Sequence, residues 1–523
     1  MAVDAIVIGS GPNGLVAANA MADAGWDVLV LEAQSTIGGA VRSSEPSEDG
    51  FTTDLYSAFY PLAAASPVMR ALDLESYGLE WVHAPSVLAH QCDDGSAVVL
   101  HRDVEATAAG LDHWAPGDGE AWIRMFREWQ RVRAPLLDAL FTPFPPVLAG
   151  ARMLRVLRTA GAVRMARMAA MPVRTFAAEQ FGGDGARLLL TGNALHTDLS
   201  PITAGSAVYG WLMSMLAQDV GFPVPRGGAG RLSQALGARA ESRGVEVRTG
   251  ASVTRVLVSA GRASGVQLED GTTIAAKRAV VADVAAPDLY ERLLAGVPLP
   301  HRLLRDLLTF EWDNSTVKLD WALSRRVPWV NEGPRSAGTV HLGPDLDGLV
   351  DFGSDLAVGR MPRTPFILFG QMTTADPSRS PEGTESAWAY THLPRRLAGD
   401  QAAISEQVTR VHDSIERVAP GFAESILRRT VQSPDDLQAA NANLVGGAIN
   451  GGTSALHQQL VLRPTPGLGR PETPVDGLYL ASASTHPGGG VHGACGWNAA
   501  RAALRSGRLS RALRHRLERS VWA

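Results

Sequence analysis

The sequence predicts an α/β fold: a Rossmann-type dinucleotide-binding domain interleaved with an α+β domain that carries a helical insert. Three observations predict it. A βαβ pattern with a glycine turn, "VDAIVIGSGPNGLVAANAMADAGWDVLVLEA", opens the chain at Val3–Ala33. A glycine turn, an amphipathic helix and a hairpin pattern recur between Pro223 and Val284. A second glycine-rich turn, "THPGGGVHG", precedes a helical pattern close to the other end.

In the first unit, Val3, Ile6, Val7 and Ile8 form a short apolar run suited to a buried parallel strand. The turn Gly9-x-Gly11-x-x-Gly14, with Pro12 and Asn13 inside it, leads into an alanine-rich helix that ends near Gly25. Its glycines serve a tight turn, close approach to a diphosphate, and helix–strand packing, while the helix start offers free N–H groups to phosphate oxygens. "WDVLVLE" is the next strand, and Glu32, followed by Ala33, stands where a ribose-binding carboxylate belongs. An acid here disfavours a 2′-phosphate.

In the middle of the chain the pattern predicts strands at 245–249 and 253–259. A hairpin over 265–268 and 272–276 turns at Asp270-Gly271, and "RAVVADV" gives another buried strand. Gly227, Gly228 and Gly230 follow no strand like the first, so no second dinucleotide fold is expected. Near the end, a strand at 478–481 runs into the turn, with a helix starting near Gly490. Such a turn aims a helix's positive end at whatever lies before it.

Composition bounds the rest. At 523 residues, with 45% hydrophobic and 19% charged residues, the chain can bury a large core. A net charge of −5 without a basic domain argues against a nucleic-acid partner. Cys92 and Cys495 are the only cysteines and no CxxC occurs, so neither redox disulfide chemistry nor a metal site is expected. The start "MAVDAIVIG" lacks a basic n-region, and no apolar run is long enough to span a bilayer. The expected location is cytoplasmic, with peripheral contact to the membrane's inner face.

That contact is suggested by residues 121–175, where ten arginines face only Glu128 and Asp138. Apolar residues recur between them at helical spacing, broken by "TPFPP". Such a pair of helices suits a lipid interface or a lid over an apolar tunnel, or equally a helix face packed on the core.

Past Glu32, "STIGGAVRSS" adds Gly38, Gly39 and Arg42. With this stretch the sequence resembles the flavin-containing amine oxidase and phytoene desaturase superfamily, in which such a segment runs beside the FAD pyrophosphate. The resemblance extends to "PVPRGGAGRL", placed before a strand whose Val253 corresponds to the adenine-binding position. It is most specific in "THPGGGVHG", "LVGGAINGGT" and "RPTPGLGRPETPVDGLYLAS", which resemble the phytoene-desaturase-like group and the pyridine nucleotide-disulfide oxidoreductase domain-containing proteins. It implies FAD as the cofactor, its diphosphate on the first turn and its ring on Gly489, Gly490 and Val491. One departure stands out: relatives among the amine oxidases place Gly-Asp after the last strand, whereas this chain has Ser482 and Ser484.

Three candidates for chemistry follow. Lys318, one of only two lysines, lies in an alternating strand, "NSTVKLDWALS". The resemblance implies a lysine holding water at the flavin, and the alternation equally allows a solvent-facing side chain. His486 and His492 flank the glycine turn and are either proton carriers near neutral pH or caps on backbone groups.

The expected domains are 1–65, 223–300 and 430–523 for FAD, and 66–222 (mostly helical) with 301–429 for substrate. Strands are expected at 310–323, 366–371 and 388–393, with a helix over 402–418. The expected activity is FAD-dependent hydride transfer to or from an apolar carotenoid-, isoprenoid- or lipid-like substrate, with oxygen or a quinone as electron acceptor. A flavin amine oxidase and a catalytically silent FAD-binding partner protein are the alternatives. The basic stretch after Arg505 has no readable role.

Overall fold

The computed structural model describes residues 2–505 except 45, 46, 48 and 468; the C-terminal basic stretch lies outside the described residues. Two seven-stranded sheets organise the chain. In the first, the strand Ala2–Ile8 lies between Val28–Leu31 and Thr273–Ala282, parallel to both. Thr273–Ala282 also pairs in parallel with Leu478–Leu480, so the strands feeding the two glycine turns are separated by one neighbour. The hairpin and the "RAVVADV" segment, expected as separate strands, share this one continuous strand. Its first half pairs antiparallel with Arg262–Leu268 and its second half with the two parallel strands.

One face of this sheet carries the helices Pro12–Asp23 and Ala494–Leu504, packed on Ala5, Val7, Val28 and Val30. The two helices meet closely: a Cβ placed on Gly496 would lie 1.8 Å from the Asn13 carbonyl oxygen. The sequence placed the start of the last helix near Gly490. It starts at Ala494 instead, because Gly493 (φ 72°) reverses the chain and the preceding glycines form an open loop.

The second sheet runs in the order Ile426–Gln432, Ser315–Leu323, Glu385–Leu393, Ile367–Gln371, Ala337–Gly343, Ser86–Cys92, Ala97–Leu100. All neighbours are antiparallel except Ala337–Gly343 with Ser86–Cys92. Two of its strands come from the segment expected to be mostly helical, and Ile426–Gln432 crosses the expected boundary at 430. Val317, Leu319, Trp321 and Phe369 pack one face onto the helix Gln401–Val418. The other face supports a helical layer that includes the insert, Asp118–Leu140 and Val147–Ala170. Trp122, Trp129 and Val132 bury the first insert helix in the core, whereas the second buries only Ala149 and Met168 and exposes Val147, Leu148, Leu154 and Val163. No described helix is long and apolar enough to cross a membrane.

Candidate functional site

A cavity of about 670 Å³ lies at the carboxyl ends of the parallel strands of the first sheet and runs along the second. Gly11 and Gly489, some 480 residues apart in sequence, both line it. So do Gly9, Pro12, Asn13, Glu32, Ala33, Gly39, Arg42, Val253, Ser482, Ser484, Gly490 and Val491.

The first turn is built to admit a ligand's phosphates. A Cβ on Gly14 would lie 2.2 Å from the Gly9 carbonyl oxygen, and one on Gly11 would lie 2.6 Å from Asp283 Oδ2. The N–H groups of Gly11 and Asn13 donate to no protein acceptor among the described residues, and Asn13 Oδ1 is buried without a partner. Orphan donors at a helix start are the chemistry that holds a diphosphate. Glu32 is held in place by the Ser10 N–H (2.8 Å), the Ser10 hydroxyl (2.6 Å) and the Gln34 N–H (2.9 Å). The Gly38 N–H donates to Ser10 O, and a Cβ on Gly39 would lie 2.9 Å from Gly11 Cα, so the glycine pair lies against the phosphate turn. Arg42 donates to Gly39 O, Tyr56 Oη and Ala440 O.

At the second turn, a Cβ on Gly489 would lie 2.7 Å from Asn450 O, and Gly490 (φ 105°) lies against Leu62. The Gly489, Gly490 and Val491 N–H groups also donate to no protein acceptor among the described residues. Ser484 is occupied: its hydroxyl donates to Gly451 O and accepts from the Ala286 N–H. Ser482 Oγ accepts from the Ser484 N–H.

Lys318 is 3% exposed and lines the cavity, so the solvent-facing alternative does not hold. The whole Ser315–Leu323 strand is buried on both faces; its polar residues alternate toward a buried network, not toward water. The Lys318 ammonium donates to Asp54 O (2.9 Å) and Asp320 Oδ1 (2.5 Å), leaving one donor for the cavity. Burial pushes the Asp320 carboxyl up, opposed by Lys318. Asp54 in turn pairs with the fully buried Arg379 at 2.9 Å.

The two histidines take other positions than proton carriers would. His492 accepts the Ala494 N–H at Nδ1 and donates from Nε2 to Gly488 O, so both nitrogens clamp the glycine turn. The His486 ring bonds the Thr142 carbonyl, and the residue does not line the cavity. Burial pushes both down to about 4, leaving them neutral near pH 7. His486 ties the turn to the helical insert instead.

Asp283 escaped notice in the sequence, where "RAVVADV" reads only as a strand. Its Oδ2 accepts the Gly14 N–H at 2.9 Å on the floor of the phosphate cradle. Burial, with Glu32 nearby, pushes it from 3.8 up to about 7, against the Gly14 hydrogen bond. A raised carboxyl favours the neutral form, so its ionisation costs stability that is retained below the unfolded value and lost as pH rises to about 7. FAD affinity is therefore expected to fall as pH rises through 7, since an ionised Asp283 repels the diphosphate. Asp283→Asn should flatten that dependence, read by flavin fluorescence titration between pH 6 and 8.5.

The comparisons agree with this geometry. Residues 7–73 match a model described as an NAD(P)-binding Rossmann-like domain, which covers the first turn and Glu32. Residues 100–504 match the model of the flavin containing amine oxidoreductases. The chain belongs to that family. FAD is thus the cofactor, and the protein is an FAD-dependent oxidoreductase. The chain is 29% identical to pyridine nucleotide-disulfide oxidoreductase domain-containing protein 2 of Mus musculus, covering 96% of this chain and 93% of that relative. It is 28% identical to a zeta-carotene-forming phytoene desaturase of Myxococcus xanthus, covering 93% and 90%. The fold is that of an oxidoreductase from Methanosarcina mazei (TM-score 0.65, 14% identity, 97% and 100% covered).

Proposed function

We propose that this flavoprotein is a desaturase-type dehydrogenase, or a saturase running in reverse, acting on an apolar carbon chain. The carrying observation is the lining of the cavity beyond the dinucleotide cradle. Phe59, Leu62, Phe141, Leu212, Met213 and Phe222 face that space. Among the described residues, the carboxylates lining the cavity are Glu32, Asp283 and Asp288, all on the dinucleotide side. An ammonium substrate would find no anion to offset its desolvation there, whereas a hydrocarbon chain needs none. The relative from Myxococcus xanthus, named a phytoene desaturase, supports the same substrate class.

Bound FAD supplies the hydride-transferring group, and oxygen or a quinone would complete its redox cycle. The chain's own residues do the rest. Aromatic walls exclude water, Lys318 holds a donor at the cavity surface, and the second glycine turn offers free N–H groups where negative charge develops. The second insert helix, with its exposed Leu148 and Leu154 beside Arg152 and Arg155, suits contact with a lipid surface from which such a substrate is drawn.

Anaerobic mixing of the holoprotein with phytoene, with shorter isoprenoids and with primary amines tests the reading. An isoprenoid is expected to bleach the visible flavin band while amines leave it intact. Bleaching by an amine alone would establish an amine oxidase; inertness of the oxidised flavin toward all of them, together with no reoxidation of pre-reduced flavin by an unsaturated isoprenoid, would favour the silent flavoprotein.

A further inference from the structure

Three histidines from distant parts of the chain meet beside the cavity wall, which His196 lines. Ser86–Cys92 and Ala337–Gly343 are parallel neighbours whose register sets His90 beside His341. The helix Asp184–Leu195 ends at His196, whose Nε2 lies 2.7 Å from His341 Nε2. His90 and His341 are fully buried, while His196 lines the cavity. Neither the flavin site nor the residues discussed above account for them.

All three imidazoles are neutral near pH 7. Burial pushes His90 down to about 3 and His196 to about 4; burial, with the two neighbouring histidines, holds His341 well below the usual imidazole range, and no described carboxylate acts on any of them. A 2.7 Å contact between two neutral imidazoles requires one N–H donor and one bare nitrogen. Were His196 the donor, His341 would carry its proton on Nδ1, which is buried without a partner among the described residues. That nitrogen is sealed by the helix backbone: a Cβ on Gly192 would lie only 2.4 Å from it. His90, with both ring nitrogens unpartnered among the described residues, already buries one orphan N–H there, and a second on His341 would add the desolvation cost of another unmade bond. His341 therefore donates from Nε2, His196 accepts there, and the proton of His196 resides on Nδ1. Nδ1 has no protein partner among the described residues.

We propose that His196 donates this Nδ1–H to a neutral oxygen acceptor on the substrate, a carbonyl, hydroxyl or ether. The substrate is then an apolar chain carrying one such oxygen, bound in preference to the bare hydrocarbon and to an amine. His341 is a positioning residue: by donating to His196 Nε2 it sets the tautomer that turns a donor toward the cavity. Gly192 leaves room for that arrangement. The inference rests on the apolar-substrate reading above and narrows it.

The test uses the FAD-loaded protein and three probes of equal chain length, decane, 2-decanone and decylamine, with binding read from perturbation of the flavin absorption band. 2-Decanone is expected to bind about fivefold more tightly than decane, the worth of one net hydrogen bond. H196F should bring the two level, and H196Q, which keeps an N–H donor, should retain much of the preference. Equal binding of decane and 2-decanone to the wild type overturns this inference alone, as does a preference that survives in H196F. Binding of decylamine with neither of the others overturns the apolar-substrate reading itself. If H196F does not fold, the wild-type ratio together with H196Q decides.

Discussion

Gly496→Ala is expected to yield a protein that folds but retains little FAD. The added methyl would lie 1.8 Å from the Asn13 carbonyl oxygen, a backbone atom that no rotamer change can move aside. Ala494–Leu504 would have to shift off Pro12–Asp23, carrying Gly489–Val491 away from the first turn. Overpacking of this kind costs about 1–3 kcal/mol in stability. FAD affinity should fall by at least about tenfold, because both turns must hold one molecule in fixed relation. Gly110→Ala is the matched control: that helical glycine faces open space, so alanine there should be neutral or mildly stabilising. Flavin per chain after gel filtration, with thermal unfolding of both variants, checks the expectation. Full flavin content in Gly496→Ala would contradict it.

Lys318→Met should be the costliest single change to both stability and turnover. It removes the ammonium that compensates Asp320, in a place where both side chains are under a tenth exposed. Breaking a buried pair by removing one partner costs about 3–5 kcal/mol. Asp320, already pushed up by burial, would then be retained mainly as the neutral acid, so the variant should be most stable at acid pH. The double change Lys318→Met with Asp320→Leu separates structure from chemistry. It should recover most of the lost stability in denaturant unfolding, while flavin reduction by substrate stays slow. Recovery of the rate along with the stability would reduce Lys318 to a structural role.

Much of this was legible because local chemistry carried it. The first glycine turn, Glu32 and the Gly38-Gly39 pair are read from adjacent residues, since the turn and the acid must follow strands at short range. The strands 253–259 and 28–31 and the helix 401–418 follow from periodicity. What escaped depends on tertiary pairing. "SVLAHQC" and "AGTVHLG" are short, mixed runs that become central strands only because layers cover both faces of their sheet. The polar alternation around Lys318 left a wet face and a cavity-facing lysine equally open, and the polar side chains there face a buried network. Asp283 is a strand-end residue whose role appears only when Gly14 folds against it. The His90, His196 and His341 cluster leaves no trace in sequence, because 106 and 145 positions separate its members. His486 and His492 were legible as residues of the turn, and of the two roles open to them the structure has the backbone cap: carbonyls take their Nε2 atoms, and His492 Nδ1 accepts the Ala494 N–H.

Hydrogen–deuterium exchange of the apoprotein titrated with FAD probes the convergence of the two turns most directly. Peptides covering residues 9–14 and 484–493 should gain protection together, with the same FAD dependence and at one FAD per chain. Protection of the first segment with unchanged exchange in the second would mean that the chain's two ends do not share one flavin, contradicting the assignment of the diphosphate to one turn and the ring to the other.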